Sequence, residues 1–292
     1  MKKLKVLDLF SGIGGFSLGL ERTGGFETVA FCEIEKFPQK VLAKHWPGVP
    51  IYDDVRELTA ERLAADGISV DVITGGFPCQ DISIAGKQKG IGEGTRSGLW
   101  SELARIIGDI RPRYAIVENV TALISGERGQ WFGRVLGDLA EIGYDAEWHC
   151  IPASELGAHH HRDRAWIVCY PQKLQRNGGG DNGKDSRCKI SKSGNPDSQT
   201  DMALPVGIGR QGQGEYVKPL LAEALENWQA VNAESGCISG IWAVEPELGR
   251  VANGIPDRAH RLKGLGNAVV PQIPELIGYA ILDSIKSEQV AA

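Results

Sequence analysis

Cys79 lies in a segment whose composition suits a reactive nucleophile. Residues 75–83 read GGFPCQDIS and follow the apolar residues Val70, Val72 and Ile73. Two glycines and a Phe-Pro pair favour a bend, which would hold the thiol clear of the backbone at the carboxyl end of a strand. A thiol needs little activation, because a few per cent is already thiolate near neutral pH. A lone cysteine at such a turn is more often a buried structural residue, so the other motifs must decide.

A second group of residues suits the binding of a nucleoside. Residues 8–16 read DLFSGIGGF, which is typical of a strand that closes in a glycine-rich turn and opens into a helix. Glycines let a ligand approach the backbone, and the amino end of a helix offers free N–H groups and positive potential. Glu33 follows the second strand, where a carboxylate can accept from both ribose hydroxyls. Asp54 follows the next strand and could accept from an adenine amino group, so the three features together predict an adenosine pocket.

The glycine spacing argues against a dinucleotide ligand. It is not Gly-x-Gly-x-x-Gly, and no element suggests a pyrophosphate. A nicotinamide-dependent oxidoreductase would share the strand, the turn and the ribose acid. It would also need that spacing and a catalytic Tyr/Lys pair or His in register, which the sequence lacks. An adenosine ligand without phosphates favours S-adenosylmethionine, whose methionine carboxylate and ammonium could use the glycine turn.

Alternating apolar runs and helical patterns predict how these motifs are positioned. Five runs read as strands, at 5–10, 28–32, 70–74, 113–117 and 165–169. Two helical faces lie between them, formed by Leu99, Leu103, Ile106, Ile107 and Ile110 and by Phe132, Val135, Leu136 and Leu139. This alternation predicts an α/β fold with a mostly parallel sheet and helices on both faces. The ligand site should lie at the carboxyl ends of the strands, and each motif follows a strand.

Composition indicates an ordinary globular protein. Hydrophobic residues make up 42% of the 292 residues and charged residues 24%, and no stretch reaches the apolar length needed to span a bilayer. We therefore expect a cytoplasmic protein with no membrane partner. The six cysteines show no Cys-x-x-Cys spacing, which argues against a disulfide framework or a zinc site.

The middle of the chain differs from the rest. Residues 156–219 carry ten Lys/Arg and six Asp/Glu, a balance of +4 in a chain whose net charge is −5. A basic segment on an acidic body fits a phosphate-facing surface, and solvated loop charge explains it equally well. Residues 175–200 contain almost no large apolar side chain and read as a loop, and residues 221–228 follow as a helix candidate.

Together the motifs resemble the family of DNA cytosine-5 methyltransferases. The resembling pieces occur in order along the chain: DLFSGIGG at 8–15, FCEIE at 31–35, DDV at 53–55, GGFPCQ at 75–80, ENV at 118–120, HHRDR at 160–164 and LGNAVVP at 265–271. FPCQ followed by ENV, after a glycine turn, is a highly specific combination. Residues 171–245 remain unmatched.

The resemblance implies a fold and a domain plan. The fold is a Rossmann-like class I S-adenosylmethionine-dependent methyltransferase sheet with helices on both faces. Residues 1–170, completed by 256–292, would form the catalytic and cofactor-binding domain, and 171–255 a small target-recognition domain. The residues expected to contact S-adenosylmethionine stand in the motifs at the strand ends: Phe10, Gly12, Gly14, Gly15, Glu33, Ile34, Asp54, Pro78, Asn267 and Ala268.

The resemblance also implies a role for each catalytic residue. Cys79, as thiolate, would add to carbon 6 of cytosine and make carbon 5 nucleophilic. Glu118 would hold ring nitrogen 3 and the exocyclic amine in its protonated form, a form that burial favours. Arg164, and secondarily Arg162, would be the cations for oxygen 2 and for holding the catalytic loop or a phosphate.

Two segments deserve separate expectations. The target base must leave the duplex to react, and Gln80, Ser83 and residues 87–94 read as a lid that closes over it. His160 stands where the family more often has glutamine. It belongs to a run of three histidines, 159–161, but neighbours on an extended chain point to opposite faces, so we expect no metal.

The remaining alternatives concern substrate and activity. An RNA cytosine-5 methyltransferase of the same lineage would share these motifs, although Gln80 and the distinct insert favour DNA. A non-catalytic DNA-binding relic would be expected to have lost Cys79 or Glu118, and both are present. We therefore expect a monomer that acts on double-stranded DNA in a bacterial or phage restriction-modification setting, with any cognate endonuclease acting separately.

Overall fold

The computed structural model describes residues 2–78, 99–172 and 258–291. The strands of this part form one sheet: β1 Leu4–Leu9, β2 Phe26–Cys32, β3 Ile51–Tyr52, β4 Val72–Gly76, β5 Tyr114–Val120, β6 Tyr144–Pro152 and β7 Asp163–Pro171. Their order across the sheet is β3-β2-β1-β4-β5-β7-β6. The order reverses between β1 and β4, so their carboxyl ends form the switch point at which open α/β sheets bind ligands.

Helices cover the sheet on both faces. Their bounds are α1 Gly15–Arg22, α2 Lys36–His45, α3 Ala60–Ala65, α4 Trp100–Ile110, α5 Ala122–Ser125, α6 Gln130–Glu141, α7 Arg258–Asn267 and α8 Gln272–Ala291. Leu103 of α4 and Val135 of α6 are buried in a core on one face of the sheet. Phe16 of α1 and Ile277 of α8 are buried in a second core on the other face. The predicted Rossmann-like arrangement is confirmed.

The sheet is mostly parallel, as predicted, but β7 is antiparallel to β5. The pairing sets Glu118 opposite Trp166 and Val120 opposite Arg164. An antiparallel strand begins at the edge where its neighbour ends. The start of β7, which carries the arginine motif, therefore lies beside the end of β5, which carries Glu118. β6 completes the sheet as an antiparallel edge strand beside β7.

The two ends of the described chain pack together at α1 and α8. A Cβ added to Gly15 would lie 2.5 Å from the carbonyl oxygen of Val269, and one added to Gly19 would lie 2.1 Å from that of Pro271. Both distances are too short for a real carbon–oxygen contact, so only glycine allows this approach. The helix after Pro271 therefore packs against the helix that opens from the glycine turn.

The sequence pattern missed β6. Only Tyr144 and Ile151 of this edge strand are buried, so its residues lack the apolar run that marks the central strands. The expected lid (80–94), the helix candidate at 221–228 and the expected recognition domain, apart from residues 171–172, lie outside the described residues. In the described part, no helix is long and apolar enough to cross a membrane.

Candidate active site

The carboxyl ends of β1, β2, β4 and β5 and the start of β7 meet at one edge of the sheet. β4 ends at Gly76, and the chain continues through the buried Phe77 to Pro78. Cys79 itself lies outside the described residues. The structure therefore shows the frame that leads to the expected nucleophile, and the position of the thiol stays a prediction.

Glu118 and Arg164 form an ion pair at this edge. The Nε of Arg164 lies 3.0 Å from Oε1 of Glu118, and the two side chains are 23% and 13% exposed. Burial raises the pKa of Glu118, while the nearby charges of Arg164 and Arg162 oppose the rise. The pair thus combines a carboxyl group that is held toward its neutral form with an adjacent fixed cation.

The carboxyl group of Glu118 lies over the end of β4. Gly76 of β4 lies opposite Glu118 in the pairing of β4 with β5. A Cβ added to Gly76 would lie 2.9 Å from Oε2 of Glu118. The glycine therefore leaves the room that the carboxyl group occupies. Because Gly76 stands three residues before Cys79 in the sequence, this contact brings the acid to the strand that leads to the expected nucleophile.

Asn119 links the same two strands and was missed by the sequence reasoning. Its Nδ2 donates to the carbonyl oxygen of Phe77 at 3.0 Å, and its Oδ1 accepts from the backbone N–H of Val120 at 2.9 Å. The side chain is almost fully buried, so both polar ends depend on these partners. The only available signal was an amide residue at a strand end directly after Glu118.

The glycine turn after β1 is held by Glu33. Oε2 of Glu33 accepts from the N–H of Gly12 at 2.8 Å, and Oε1 accepts from the N–H of Glu35 at 2.7 Å. Burial raises the pKa of Glu33, and the two N–H groups that donate to it oppose the shift. The expected ribose acid therefore also fixes the backbone of the turn, a second role that the spacing did not suggest.

The turn leaves open space on one side. Gly12 and Gly14 have φ angles of 53° and 85°, in the region that favours glycine. A Cβ on Gly12 would meet no atom within 4 Å, whereas one on Gly14 would lie 2.6 Å from the ring of Trp46. Gly14 therefore serves packing, and Gly12 faces the side from which a ligand could approach. Phe10 opens the turn with a left-handed φ of 51° and packs against the core.

Two further expected contacts flank this turn. Ile34, next to Glu33 and two residues after the end of β2, is 62% exposed, so a ligand at the turn could contact its side chain. Asp54 is paired with Arg56, whose Nη2 lies 2.6 Å from Oδ2. Hydrogen bonding to that guanidinium lowers the pKa of Asp54. The carboxylate of Asp54 is thus ionised and already accepts hydrogen bonds from Arg56. Its remaining lone pairs could accept from an adenine amino group.

A buried carboxyl group beneath the turn was also missed. Asp8 on β1 is fully buried and accepts from Ser17 Oγ at 2.8 Å and from Thr74 Oγ1 at 2.9 Å. Burial raises the pKa of Asp8 to about 7, against the effect of the two hydroxyl donors. Asp8 thereby joins α1 and β4, the elements that carry the glycine turn and the approach to Cys79.

Arg162 reaches the carboxyl-terminal part of the chain. Its Nη1 donates to the carbonyl oxygen of Gly266 at 2.8 Å and its Nη2 to that of Ala268 at 2.6 Å. Asn267, an expected cofactor contact, stands between these two residues.

Among the three neighbouring histidines, Nδ1 of His161 lies 3.4 Å from Oγ of Ser154. The described residues contain no group of three His, Cys, Asp or Glu placed to hold a metal ion.

The sheet order and the helices on both faces define the fold as that of the Rossmann-like class I methyltransferases. A solved structure described as a DNA modification methyltransferase encoded within a prophage (E. coli) is similar to it, with a TM-score of 0.50 and 27% identity over 58% of this chain and 47% of that one. A family model for C-5 cytosine-specific DNA methylases matches residues 4–235, well over half of the chain. The chain belongs to the C-5 cytosine-specific DNA methylase family.

Curated relatives agree with this assignment. Type II methyltransferase M2.BsuMI of Bacillus subtilis is 38% identical over 169 residues, which is 56% of this chain and 41% of the relative. Type II methyltransferase M.Sau3AI of Staphylococcus aureus is 35% identical over 187 residues, which is 60% of this chain and 45% of the relative. The matches thus span less than half the length of these relatives. The predicted family is confirmed.

Proposed function

We propose that this chain is a DNA (cytosine-5-)-methyltransferase. It transfers a methyl group from S-adenosylmethionine to carbon 5 of a cytosine that is flipped out of a specific double-stranded DNA sequence. One observation carries the proposal: the Glu118–Arg164 pair lies over Gly76, at the edge where β4 leads to Cys79. That edge also holds the glycine turn and Glu33, so the base and the methyl donor would meet at one place.

The proposed chemistry begins at Cys79. Its thiolate forms a bond to carbon 6 of the cytosine, and the electron pair displaced from the ring double bond makes carbon 5 nucleophilic. S-adenosylmethionine, when bound, supplies the electrophilic methyl group to that carbon. Loss of the proton on carbon 5, with elimination of the thiolate, restores the aromatic ring and frees Cys79.

Glu118 and Arg164 would manage the charge that develops on the ring. Protonated Glu118 can donate to nitrogen 3 and accept from the exocyclic amine, and burial of the side chain supports that protonation state. Arg164, fixed by its bond to Glu118, presents a cation for oxygen 2. A donor that is already oriented costs no reorganisation as the charge appears, which is the main advantage of such a site over water.

The described residues also fit a nucleoside that carries no phosphates. Glu33 supplies a carboxylate for the ribose, Gly12 leaves open space at the turn, and Ile34 presents an exposed apolar surface beside it. The proposed set is completed by Phe10, Gly14, Gly15, Asp54, Pro78, Asn267 and Ala268. The amino end of α1 adds positive potential, which suits the methionine carboxylate.

The wider setting is also proposed. Residues 171–255 would recognise the target sequence, and Gln80, Ser83 and residues 87–94 would close over the flipped base. The names of the curated relatives place them in type II modification systems, which supports a restriction-modification role in the cytoplasm of a bacterial or phage-infected cell. A monomer can carry out this reaction, and a cognate endonuclease would act separately.

Label transfer tests the proposal. The protein is incubated with tritiated S-adenosylmethionine and either duplex DNA or RNA. We expect label in DNA only, and none with Cys79→Ser. Label in RNA alone would identify an RNA methyltransferase, and label in neither would indicate a non-catalytic protein. Bisulfite sequencing of DNA from expressing cells would then identify the target sequence.

A further inference from the structure

Arg162 bridges two parts of the molecule that are far apart in sequence. It lies just before β7, two residues from Arg164, and its guanidinium donates to the carbonyl oxygens of Gly266 and Ala268 at 2.8 and 2.6 Å. Main-chain carbonyls 104 and 106 residues away are thus held by one planar side chain. A guanidinium offers several donors in a fixed geometry, so two contacts constrain both the position and the orientation of the segment.

The backbone at Arg162 directs the side chain to the 266–268 segment. In an extended strand, residues 162 and 164 would present their side chains to the same face. Arg162 instead has a left-handed φ of 40°, which interrupts the alternation before β7 begins. A left-handed conformation is costly for a residue with a Cβ, so the surrounding contacts must stabilise it. Arg164 then points to Glu118, while Arg162 points to the 266–268 segment.

The 266–268 segment is tied down on its other side as well. Lys263, on the preceding turn of α7, is ion-paired with Glu35. Glu35 in turn donates its backbone N–H to the carboxylate of Glu33, the proposed ribose acid. The segment therefore runs between the Glu33 side of the site and the Glu118–Arg164 side. Asn267 stands in its middle, and its position depends on both attachments.

We propose that Arg162 is a positioning residue that holds Asn267 and Ala268 in place for the methyl donor. The inference rests on the proposed function and refines it, because the sequence had suggested that Arg162 supports oxygen 2 or the catalytic loop. In this role Arg162 acts through the 266–268 segment and does not touch the cytosine. Removing it should weaken binding of the methyl donor and loosen the 266–268 segment.

Two substitutions separate these roles. Arg162→Met removes both hydrogen bonds and keeps most of the side-chain volume, and Arg162→Lys keeps the charge with a single donor group. We expect the KM for S-adenosylmethionine and the Kd for S-adenosylhomocysteine to rise about 10-fold in Arg162→Met, roughly the effect of losing one strong hydrogen bond. In Arg162→Lys, which keeps one donor group, the rise should be about 3-fold.

Arg113→Met is the matched control. Arg113 also joins the sheet to the carboxyl-terminal part, through an ion pair of 2.8 Å with Glu288 of α8, but it precedes β5 at the opposite edge. Its loss should leave the Kd for S-adenosylhomocysteine unchanged. If it weakens that binding as much as Arg162→Met does, the effect is general destabilisation and the proposal fails.

Hydrogen exchange of the protein alone provides a readout that needs no activity. Backbone amides of residues 266–268 should exchange about 10-fold faster in Arg162→Met than in the wild type, and at the wild-type rate in Arg113→Met. Unchanged exchange in this segment, or a lower kcat with an unchanged KM, would overturn the proposal. A wild-type protein that does not bind S-adenosylhomocysteine would refute the proposed function instead, while exchange would still test the contact.

Discussion

The side-chain amide of Asn119 donates to the carbonyl oxygen of Phe77 at 3.0 Å, so the end of β5 holds the residue two positions before Cys79. Both polar ends of this buried side chain are satisfied by backbone groups, one at Phe77 just after β4 and one at Val120 on β5. The contact fixes the direction in which β4 enters the segment that carries the expected nucleophile.

Replacing Asn119 should therefore impair methyl transfer more than donor binding. Asn119→Ala leaves the buried carbonyl oxygen of Phe77 without this donor, at a cost of about 1–3 kcal/mol in the free energy of unfolding, and the part-buried N–H of Val120 without its acceptor. We expect kcat to fall about 10- to 100-fold while the Kd for S-adenosylhomocysteine stays within about 2-fold. Gln130→Ala, at an exposed amide residue that begins α6, is the control and should change neither quantity. Equal losses in kcat and donor affinity would contradict the positional role.

Glu118 should determine how the single-turnover rate falls at alkaline pH. Its pKa is raised, so the carboxyl group stays protonated to a higher pH than a free glutamic acid. If the protonated form is required, the single-turnover rate is retained below the folded-state pKa and falls as pH rises through it. Glu118→Gln cannot lose a proton, so its rate, reduced about 100-fold, should lack this limb.

The control for Glu118 is Glu102→Gln on α4. Glu102 is also paired with an arginine Nε, that of Arg105, at 2.9 Å, but it stands in the first turn of α4 and is not part of the Glu118–Arg164 pair. Its substitution should leave the pH–rate profile unaltered. A Glu118→Gln enzyme that keeps the wild-type alkaline limb would show that another group is responsible.

Glu33→Gln should weaken donor binding, because it disturbs the turn and changes the group that is proposed to hold the ribose. The carboxylate accepts two backbone N–H groups of the turn region, and the amide of glutamine can accept at only one end. We expect the Kd for S-adenosylhomocysteine to rise about 10- to 100-fold by isothermal titration. Glu27→Gln, exposed near the start of the same strand, should bind like the wild type. An unchanged Kd in Glu33→Gln would refute the ribose assignment.

Asp8 should make the free energy of unfolding decrease as pH rises. Its pKa rises from 3.8 in the reference state to about 7 in the folded protein, so the folded state binds the proton more tightly. The resulting stabilisation is complete below about pH 4 and is lost as pH rises toward 7. The decrease in the free energy of unfolding is about 4 kcal/mol at most.

Urea titrations at several pH values test the role of Asp8. Asp8→Asn should flatten the decrease between about pH 4 and 7, while Asp145→Asn, at an exposed position on β6, should retain it. A profile of Asp8→Asn that parallels the wild type would show that this carboxyl group is not the source.

Much of the fold could be predicted because central strands and helical faces leave clear apolar patterns. Leu103 and Val135 mark faces that the structure buries. The arginine motif and ENV could be assigned to one site only through the resemblance, since the antiparallel pairing of β5 and β7 is a long-range contact without a local pattern. β6 was missed because an edge strand needs few buried residues.

The missed contacts of the site share a physical reason. The destination of Arg162 depends on a left-handed backbone angle at a residue that is not glycine, which no propensity predicts. Asp8 and Asn119 act through hydrogen bonds to elements that are distant in sequence. The strand-end position suggested Glu33, and the resemblance suggested Glu118 and Arg164, but neither could show which polar groups each side chain meets.

A covalent trap at Cys79 tests the central claim most directly. The substrate is a duplex in which 5-fluorocytosine replaces the cytosine found by bisulfite sequencing, because fluorine on carbon 5 blocks the final elimination. With S-adenosylmethionine present, we predict a denaturant-resistant complex whose modified peptide contains Cys79. The complex should be absent in Cys79→Ser and retained in Cys150→Ser, a substitution at an exposed free cysteine. A wild-type enzyme that methylates the ordinary duplex yet forms no adduct, or forms it through another residue, would contradict the account.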